Sequence, residues 1–253
     1  MKQSIKRALI FALALLPVSL AAGYLTGLWQ MDTLSADLAE QILQQLGSKQ
    51  VLAVIAAVQA AGYALVCGFV GCLLAQNTGL WKPLRIEKQP LVTTLVLSAV
   101  FGIIFSLDYW TFGRWYPLIA ESTPANTTPI AFAASVLYGG VVEEVLLRLF
   151  FMTGIAWLIG KVTYKKAPAA QWKPWVFIAA NVLATLAFAA GHLPTTFVLF
   201  GGLTPLLLVR CFLFNGGFGL FFGWLYRKHG IQYAMIAHAG LHIVSKVIWL
   251  LFV

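Results

Sequence analysis

Seven long apolar stretches alternate with short polar connections along the chain. They lie at residues 8–28, 51–75, 90–108, 130–160, 175–192, 204–226 and 231–252. Each is close to the roughly 20 residues that an α-helix needs to cross a bilayer. The fourth is too long for one straight crossing at about 1.5 Å per residue, and Gly139-Gly140 is the expected place for a break or kink. The pattern predicts an all-α polytopic transmembrane helix bundle of about seven spans.

Composition supports an assignment to the membrane. Of the 253 residues, 60% are hydrophobic and 10% are charged, whereas a soluble domain has about 25% charged residues. These values exclude a disordered chain, a collagen-like chain and a disulfide scaffold. The net charge is +9, but no basic face with interleaved aromatic residues is visible, so no nucleic-acid partner is expected. We expect one integral membrane domain over residues 1–253, with lipids as its surroundings.

The distribution of lysine and arginine predicts an orientation. Basic residues occur before the first apolar stretch and after the second, fourth and sixth: Lys2, Lys6, Arg7, Lys82, Arg85, Lys88, Lys161, Lys165, Lys166, Lys173, Arg227 and Lys228. The other connections contain few of them. The positive-inside rule then places the N-terminus in the cytoplasm and the C-terminus outside. We expect a multi-pass protein of a cell membrane, and the short loops favour a bacterial inner membrane.

Three ionisable residues lie inside the fourth apolar stretch: Glu143, Glu144 and Arg148. Each costs roughly 2.5–3.5 kcal/mol at the centre of a bilayer before any pairing. On an α-helix, Glu144 and Arg148 share a face, while Glu143 points about 100° away and is free to meet a different partner. A carboxylate pair beside one arginine can supply a base and an electrostatic anchor. The alternative is a structural ion pair that locks helix packing.

Three histidines also occur in apolar stretches. His238 and His242 share a face of the last one, and His192 ends the fifth. Together with Glu143 they could ligate zinc and leave a position for water, although His238-Ala-Gly-Leu-His242 lacks the glutamate of a His-Glu-x-x-His motif. A membrane histidine can also serve only as a hydrogen bond between helices.

Other polar residues in the apolar stretches have simpler interpretations. Arg210 and Lys246 are interpreted as snorkelling side chains near the ends of spans. The three cysteines, Cys67, Cys72 and Cys211, are interpreted as small buried residues.

Three blocks of sequence, in order, resemble the CPBP family of CAAX prenyl proteases and bacteriocin-processing intramembrane endopeptidases. Glu143-Glu144-Val-Leu-Leu-Arg148 matches the Glu-Glu-x-x-x-Arg block of the family, and Phe188-Ala-Ala-Gly-His192 matches its Phe-x-x-x-His block. His238-Ala-Gly-Leu-His242 matches the His-x-x-x-Asn/Asp block, with histidine in place of the usual asparagine or aspartate. The resemblance covers about residues 130–250.

The resemblance implies a metal-independent, glutamic-type peptidase, with zinc as the alternative cofactor. Glu143, helped by His192, would deprotonate a water that attacks a peptide carbonyl. His238 and His242 would stabilise the oxyanion, and Glu144 and Arg148 would orient the site. The substrate would be a peptide or protein, with or without a lipid group, and the site would lie in a polar cavity within the membrane.

Two other functions remain open from the sequence. Because His242 departs from the family pattern, the chain could be an inactive CPBP-like scaffold or immunity protein. Intramembrane carboxylates and histidines also serve as proton relays in transporters, although the two halves show no inverted repeat. Straight spans would place Glu143 and His192 in the outer half and His238 nearer the cytoplasm, so a shared site requires tilted or irregular helices.

Overall fold

The computed structural model describes residues 2–253, and this part of the chain is helical without strands. Seven helical segments are long and apolar enough to cross a membrane: Lys2–Thr33, Lys49–Thr78, Lys88–Ser106, Pro129–Tyr164, Pro174–Phe200, Pro205–His229 and Ile231–Phe252. They correspond one to one with the seven predicted stretches. The predicted all-α polytopic bundle is therefore confirmed.

The first two spans form a closely packed pair. Helix α1 (Lys2–Thr33) lies along α3 (Lys49–Thr78), and the short helix α2 (Ala36–Leu46) connects them. A Cβ atom on Gly23 would lie only 2.7 Å from the Cα atom of Ala57, so only glycine allows the two backbones to approach this closely. Small residues at such crossings are typical of helix packing in membranes.

The third span is followed by a series of short helices. After α4 (Lys88–Ser106), the chain forms α5 (Phe112–Trp115), α6 (Pro117–Glu121), α7 (Thr123–Asn126) and α8 (Pro129–Ala134). Three of them have proline in their first turn, where its missing N–H has no intrahelical partner to lose. These short helices cover one end of the bundle and lead directly into the fourth span.

The fourth span has an unusual helix type. After α8 it continues as two π-helical segments, Ser135–Glu143 and Val145–Met152, before returning to α-helix in α9 (Thr153–Tyr164). The break expected at Gly139-Gly140 is absent, because the backbone widens into π-turns there instead. π-Helical geometry is rare and often occurs at functional sites. Its wider turn also changes the direction of each side chain relative to an α-helix.

The last three spans contain further interruptions. A 3₁₀ turn (Ala169–Gln171) precedes α10 (Pro174–Gly191), and α11 (Leu193–Phe200) follows it, so the fifth span continues past its predicted end at His192. The sixth span comprises α12 (Pro205–Cys211), a short π-helical segment (Phe212–Gly216) and α13 (Gly217–His229). Gly230, with φ of +116°, separates it from α14 (Ile231–Phe252).

The spans pack so that the π-helical segments lie inside the bundle. Helix α14 packs against α4, α13 and the first π-helical segment, while α10 contacts α13 and the second π-helical segment. The main apolar core lies among these helices and α3. Many large apolar side chains on the outer faces are exposed, for example Val58 at 63% and Val66 at 62%. This distribution suits a protein whose outer surface contacts lipid.

Candidate active site

The two adjacent glutamates occupy different environments. The side chain of Glu144 is fully buried, whereas the Glu143 side chain is 21% exposed. Glu143 has no hydrogen bond within residues 2–253, and its nearest charged neighbour is the ring of His238. One glutamate is therefore fixed in the protein interior, and the other is partly exposed.

Glu144 connects two other polar side chains. Its Oε1 atom accepts a hydrogen bond of 2.8 Å from Nδ1 of His238, and it lies 3.3 Å from Nη1 of Arg148. Arg148 in turn donates from Nη2 to the carbonyl of Gly219 at 3.1 Å. Its guanidinium lies over the ring of Phe188, with 4.8 Å from Cζ to the ring centroid. The predicted pairing of Glu144 with Arg148 is present, and it holds the fourth span against α13 and α10.

His238 lies between the two glutamates. Its Nδ1 atom donates a hydrogen bond to Glu144, and its Nε2 atom lies 3.8 Å from Oε2 of Glu143. The ring is stacked on Phe222 with centroids 4.5 Å apart. Because a carboxylate only accepts hydrogen bonds, the Nδ1 nitrogen must carry a proton. The ring is therefore held on one side and presents Nε2 to Glu143.

The convergence of both glutamates on one imidazole differs from the sequence expectation. On an α-helix Glu143 would point about 100° away from Glu144 toward another partner. In the structure the first π-helical segment ends at Glu143, and its wider turn changes that angle. Glu143 lies 3.8 Å from His238 in this geometry, although straight spans would have separated them. The irregular helix expected for a shared site is thus found in the fourth span.

His242 lies beside His238. The two rings are stacked with centroids 5.1 Å apart, and Nδ1 of His242 is buried with no hydrogen-bond partner in the described chain. A Cβ atom on Gly139 would lie 3.0 Å from Nε2 of His242 and 3.1 Å from Nε2 of His238. The two Nε2 atoms therefore border the same small space, which exists because residue 139 has no side chain.

His192 has no direct contact of the kind that the sequence predicted with Glu143. It follows the last residue of α10, and its Nδ1 atom is 2.9 Å from the carbonyl of Phe188 in the same helix. Its ring contacts the edge of Phe188, which separates it from His238. No hydrogen bond or ion pair joins it to Glu143 anywhere in residues 2–253. Its predicted help to Glu143 stays a prediction, although the Nδ1 contact leaves Nε2 free to accept a proton.

The residues of the zinc alternative do not form a ligand cluster. Across the described residues, no group of three or more His, Cys, Asp or Glu side chains is arranged to hold a metal ion. His192, His238, His242 and Glu143 therefore do not fit a preformed zinc site, and no step below is routed through a metal. The three cysteines are buried and free, as interpreted from the sequence.

The snorkelling interpretation of Arg210 and Lys246 is wrong. Arg210 forms a bidentate ion pair with the buried Asp108, with Nε and Nη2 contacts of 2.6–3.0 Å. Lys246 is only 3% exposed, and its ammonium group donates to the carbonyl of Asn126. The sequence did not indicate this pair, because Asp108 and Arg210 lie 102 residues apart and no local spacing marks them.

Comparison with known protein families gives a match over the segment that contains these residues. Residues 125–244 match the family model described as type II CAAX prenyl endopeptidase Rce1-like. We call this segment the Rce1-like domain, and its match is consistent with a protease of the CPBP family. Searches of curated proteins and of solved structures each found no significant match.

The Rce1-like domain contains the whole cluster of acidic and imidazole groups. Glu143, Glu144, Arg148, His192, His238 and His242 all lie within its bounds. The match confirms the resemblance seen in the three sequence blocks and supports an intramembrane endopeptidase at the level of the family. With the seven apolar helices, it also supports a multi-pass membrane protein.

Proposed function

We propose that the protein is a glutamic-type intramembrane endopeptidase in which Glu143 activates the attacking water. The observation that carries this proposal is the gap of 3.8 Å between Oε2 of Glu143 and Nε2 of His238. That distance is too long for a direct hydrogen bond but suits a bridging water. Since Glu143 is partly exposed and otherwise unpartnered, its carboxylate is free to accept the proton of that water.

Glu144 and Arg148 act on the reaction through His238 in this mechanism. The Glu144 carboxylate fixes the His238 proton on Nδ1, and Arg148 fixes Glu144. Such an arrangement orients an imidazole in one tautomer, as a buried carboxylate does in a catalytic triad. The stack on Phe222 removes the remaining rotation of the ring. His238 then faces the water with a defined nitrogen.

The space beside Gly139 is the proposed position of the carbonyl oxygen under attack. The Nε2 atoms of His238 and His242 both border it. His242 can donate to a developing oxyanion from a protonated Nε2. His238 carries its proton on Nδ1 when neutral, so it can donate from Nε2 only after it takes up a second proton. His192, one residue past the end of α10, supplies a further nitrogen for proton transfer. The histidine at position 242 replaces the family's usual amide donor by an N–H donor of a different shape.

The substrate in this proposal is a peptide or protein segment, with or without a lipid group, cleaved within a cell membrane. The N-terminus lies in the cytoplasm and the C-terminus outside, in keeping with the distribution of lysine and arginine. No cofactor takes part in the proposed steps. A chelator such as 1,10-phenanthroline should therefore leave the cleavage rate of the purified protein unchanged.

The test is a cleavage assay on the full-length protein in nanodiscs, with internally quenched peptides carrying or lacking a prenylated cysteine. Glu143→Gln should lower the rate about 10²–10⁴-fold, the usual contribution of general base catalysis. Glu121→Gln is the matched control, because Glu121 is exposed and lies outside the cluster. A Glu143→Gln protein that cleaves at the rate of the control would contradict the proposal.

A further inference from the structure

A cavity at one end of the bundle is lined by lysine and tryptophan side chains. It has a volume of about 410 Å³ and lies where α3, α9 and the 3₁₀ turn meet. Its lining includes Asn77, Trp157, Lys161, Lys166 and Trp172. The volume falls within the range of about 300–1,000 Å³ that is usual for ligand pockets. The cavity therefore has room for a polar group larger than a few water molecules.

The wall of this cavity is held in place by contacts within the connection between the fourth and fifth spans. The ring of Trp172 packs directly on Gly160 of α9, where a Cβ atom would have no room. Its indole Nε1 donates to the carbonyl of Ala167 at 3.3 Å, and its ring lies nearly parallel to that of Tyr164. Lys165 ends α9 with a φ of +48°, which is uncommon for a residue other than glycine. The chain therefore folds back over the end of α9, and the cavity is a defined feature of the fold.

The positive charge at this cavity has no counter-charge nearby in the protein. Lys161 and Lys166 are exposed and take part in none of the ion pairs of the described chain. No aspartate or glutamate follows Glu144 in the sequence. Asn77 donates one amide N–H to the carbonyl of Leu73 and has a second N–H to offer. The lining thus combines positive charge with hydrogen-bond donors, which suits an anion with several acceptor oxygens.

The surroundings of the cavity match the headgroup layer of a bilayer. Trp157 and Trp172 lie near the end of the fourth span, and tryptophan is enriched at membrane–water interfaces. Leu158 and Val162 of α9 are 57% and 71% exposed. They directly follow Trp157 and Lys161 in the sequence, so an apolar outer face adjoins the cavity. A molecule with a phosphate in the cavity and acyl chains on this face contacts both surfaces, whereas a free phosphate contacts only the first.

We propose that this cavity binds the headgroup of an anionic glycerophospholipid. The phosphate accepts hydrogen bonds from the ammonium groups of Lys161 and Lys166, and the acyl chains lie along Leu158 and Val162. Basic pockets between transmembrane helices on the cytoplasmic side typically bind such headgroups, and the distribution of lysine and arginine predicts that this end of the bundle is cytoplasmic. The lining contains no residue of the candidate active site, so the proposal does not depend on the proposed proteolytic function.

Native mass spectrometry of the full-length protein in a mild detergent tests the lipid site. The protein is titrated with phosphatidylglycerol and with phosphatidylcholine of the same acyl chains, and the ratio of the two dissociation constants is measured. We expect phosphatidylglycerol to bind about 20-fold more tightly, because each lysine near an anionic headgroup contributes about fivefold in affinity. Lys161→Met and Lys166→Met should each lower this ratio about fivefold, and the double variant should reduce it to about one.

The matched control is Lys173→Met. Lys173 is exposed in the same connection but does not line the cavity, so its substitution should leave the ratio unchanged. An equal loss in this control and in the cavity variants would assign the preference to the charge of the whole surface and overturn the proposal. Equal binding of the two lipids by the parent protein would also overturn it. Because all three lysines are exposed, these substitutions leave the apolar core intact, and circular dichroism of each variant checks this.

A competition experiment distinguishes a lipid from a soluble phosphate. Glycerol phosphate carries the same phosphate without acyl chains, so millimolar concentrations should displace little phosphatidylglycerol. Displacement at micromolar concentrations would identify a soluble phosphate compound as the ligand and overturn the assignment to a lipid. Cleavage is not part of the readout, and Glu143→Gln should show the same lipid ratio as the parent. Failure of the lipid site and failure of the proposed function are therefore separate results.

Discussion

Two clusters of buried charge lie in the apolar part of this protein, and they are built differently. In the first, Asp108 receives three hydrogen bonds of 2.6–3.0 Å from Arg210, and neither residue has an unpaired buried atom in the described chain. In the second, around Glu144, Arg148 and His238, several polar atoms remain without partners. Both clusters lie in apolar surroundings, so burial alone does not distinguish them.

The difference lies in how completely each cluster satisfies its own polar atoms. Buried atoms without a hydrogen bond include Oε2 of Glu144, Nη1 of Arg148 and Nδ1 of His242. The Arg148 Nη1 atom is close enough to Glu144 for an ion pair at 3.3 Å, but it is not aligned for a hydrogen bond. Buried unsatisfied groups are uncommon in folded proteins and call for an explanation. Under the proposed function, binding of water and substrate by this cluster would provide one, whereas the Asp108–Arg210 pair would need only to hold helices together.

The largest expected effect comes from neutralising the buried glutamate of the second cluster. Glu144→Gln removes the charge that Arg148 faces and replaces the acceptor of the His238 proton by an amide. We expect the cleavage rate to fall by about 10³-fold, within the range for loss of a positioned acid–base group. Breaking a buried ion pair should also lower the free energy of unfolding by about 3–5 kcal/mol. Cleavage assays and unfolding in sodium dodecyl sulfate measure the two effects.

Comparison with Glu143→Gln sharpens this prediction. Glu143 is partly exposed and has no hydrogen bond to lose, so its substitution should lower cleavage about 10²–10⁴-fold. It should leave the unfolding free energy within about 0.5 kcal/mol, as is usual for surface changes. If both substitutions lower stability equally, the two glutamates do not have the separate roles that their burial indicates.

Substitutions in the Asp108–Arg210 cluster should lower stability and leave cleavage nearly unchanged. Asp108→Asn leaves Arg210 without a counter-charge and should destabilise the fold by about 3–5 kcal/mol. The cleavage rate per folded molecule should change less than about threefold, because neither residue contacts the candidate active site. The double variant Asp108→Leu with Arg210→Met should recover most of the lost stability, since apolar residues can replace a buried pair at little cost. Thermal unfolding in detergent and a cleavage assay corrected for folded protein are the measurements.

A large loss of activity in the double variant would show that the pair does more than hold helices together. Only a loss of activity that persists after correction for the amount of folded protein would count. In that case the contrast between a satisfied structural cluster and an unsatisfied functional one would no longer hold for this protein.

The spans and the residues of the candidate site were accessible from the sequence because their signals are local. Apolar stretches of about 20 residues specify membrane helices directly, and the spacing of Glu144 and Arg148 places them in contact on most helix types. The three blocks of the CPBP family marked His192, His238 and His242. Each of these signals lies within a single continuous segment of the chain.

The partners of these residues were not accessible, because they depend on contacts across the chain. His238 meets Glu144 from 94 residues away, and Arg210 meets Asp108 from 102 residues away. The direction of Glu143 depends on a π-helical segment, whose backbone hydrogen bonds leave no composition signature. An α-helical interpretation of the same residues therefore gave a direction for Glu143 that differs from the one in the structure. The burial of Lys246 was not predicted for a similar reason, since its partner, the carbonyl of Asn126, lies in a short helix 120 residues earlier in the chain.

The smallest expected effect concerns the position where the chain departs from its family. His242→Asn restores the usual amide, which can donate a hydrogen bond into the space beside Gly139 as an imidazole N–H does. We expect the cleavage rate to remain within about tenfold of the parent, whereas His242→Leu should lose about 10²–10³-fold, as for removal of one oxyanion donor. Equal activity of the leucine and asparagine variants would mean that His242 only packs against His238, and the oxyanion would then have to rely on His238 alone.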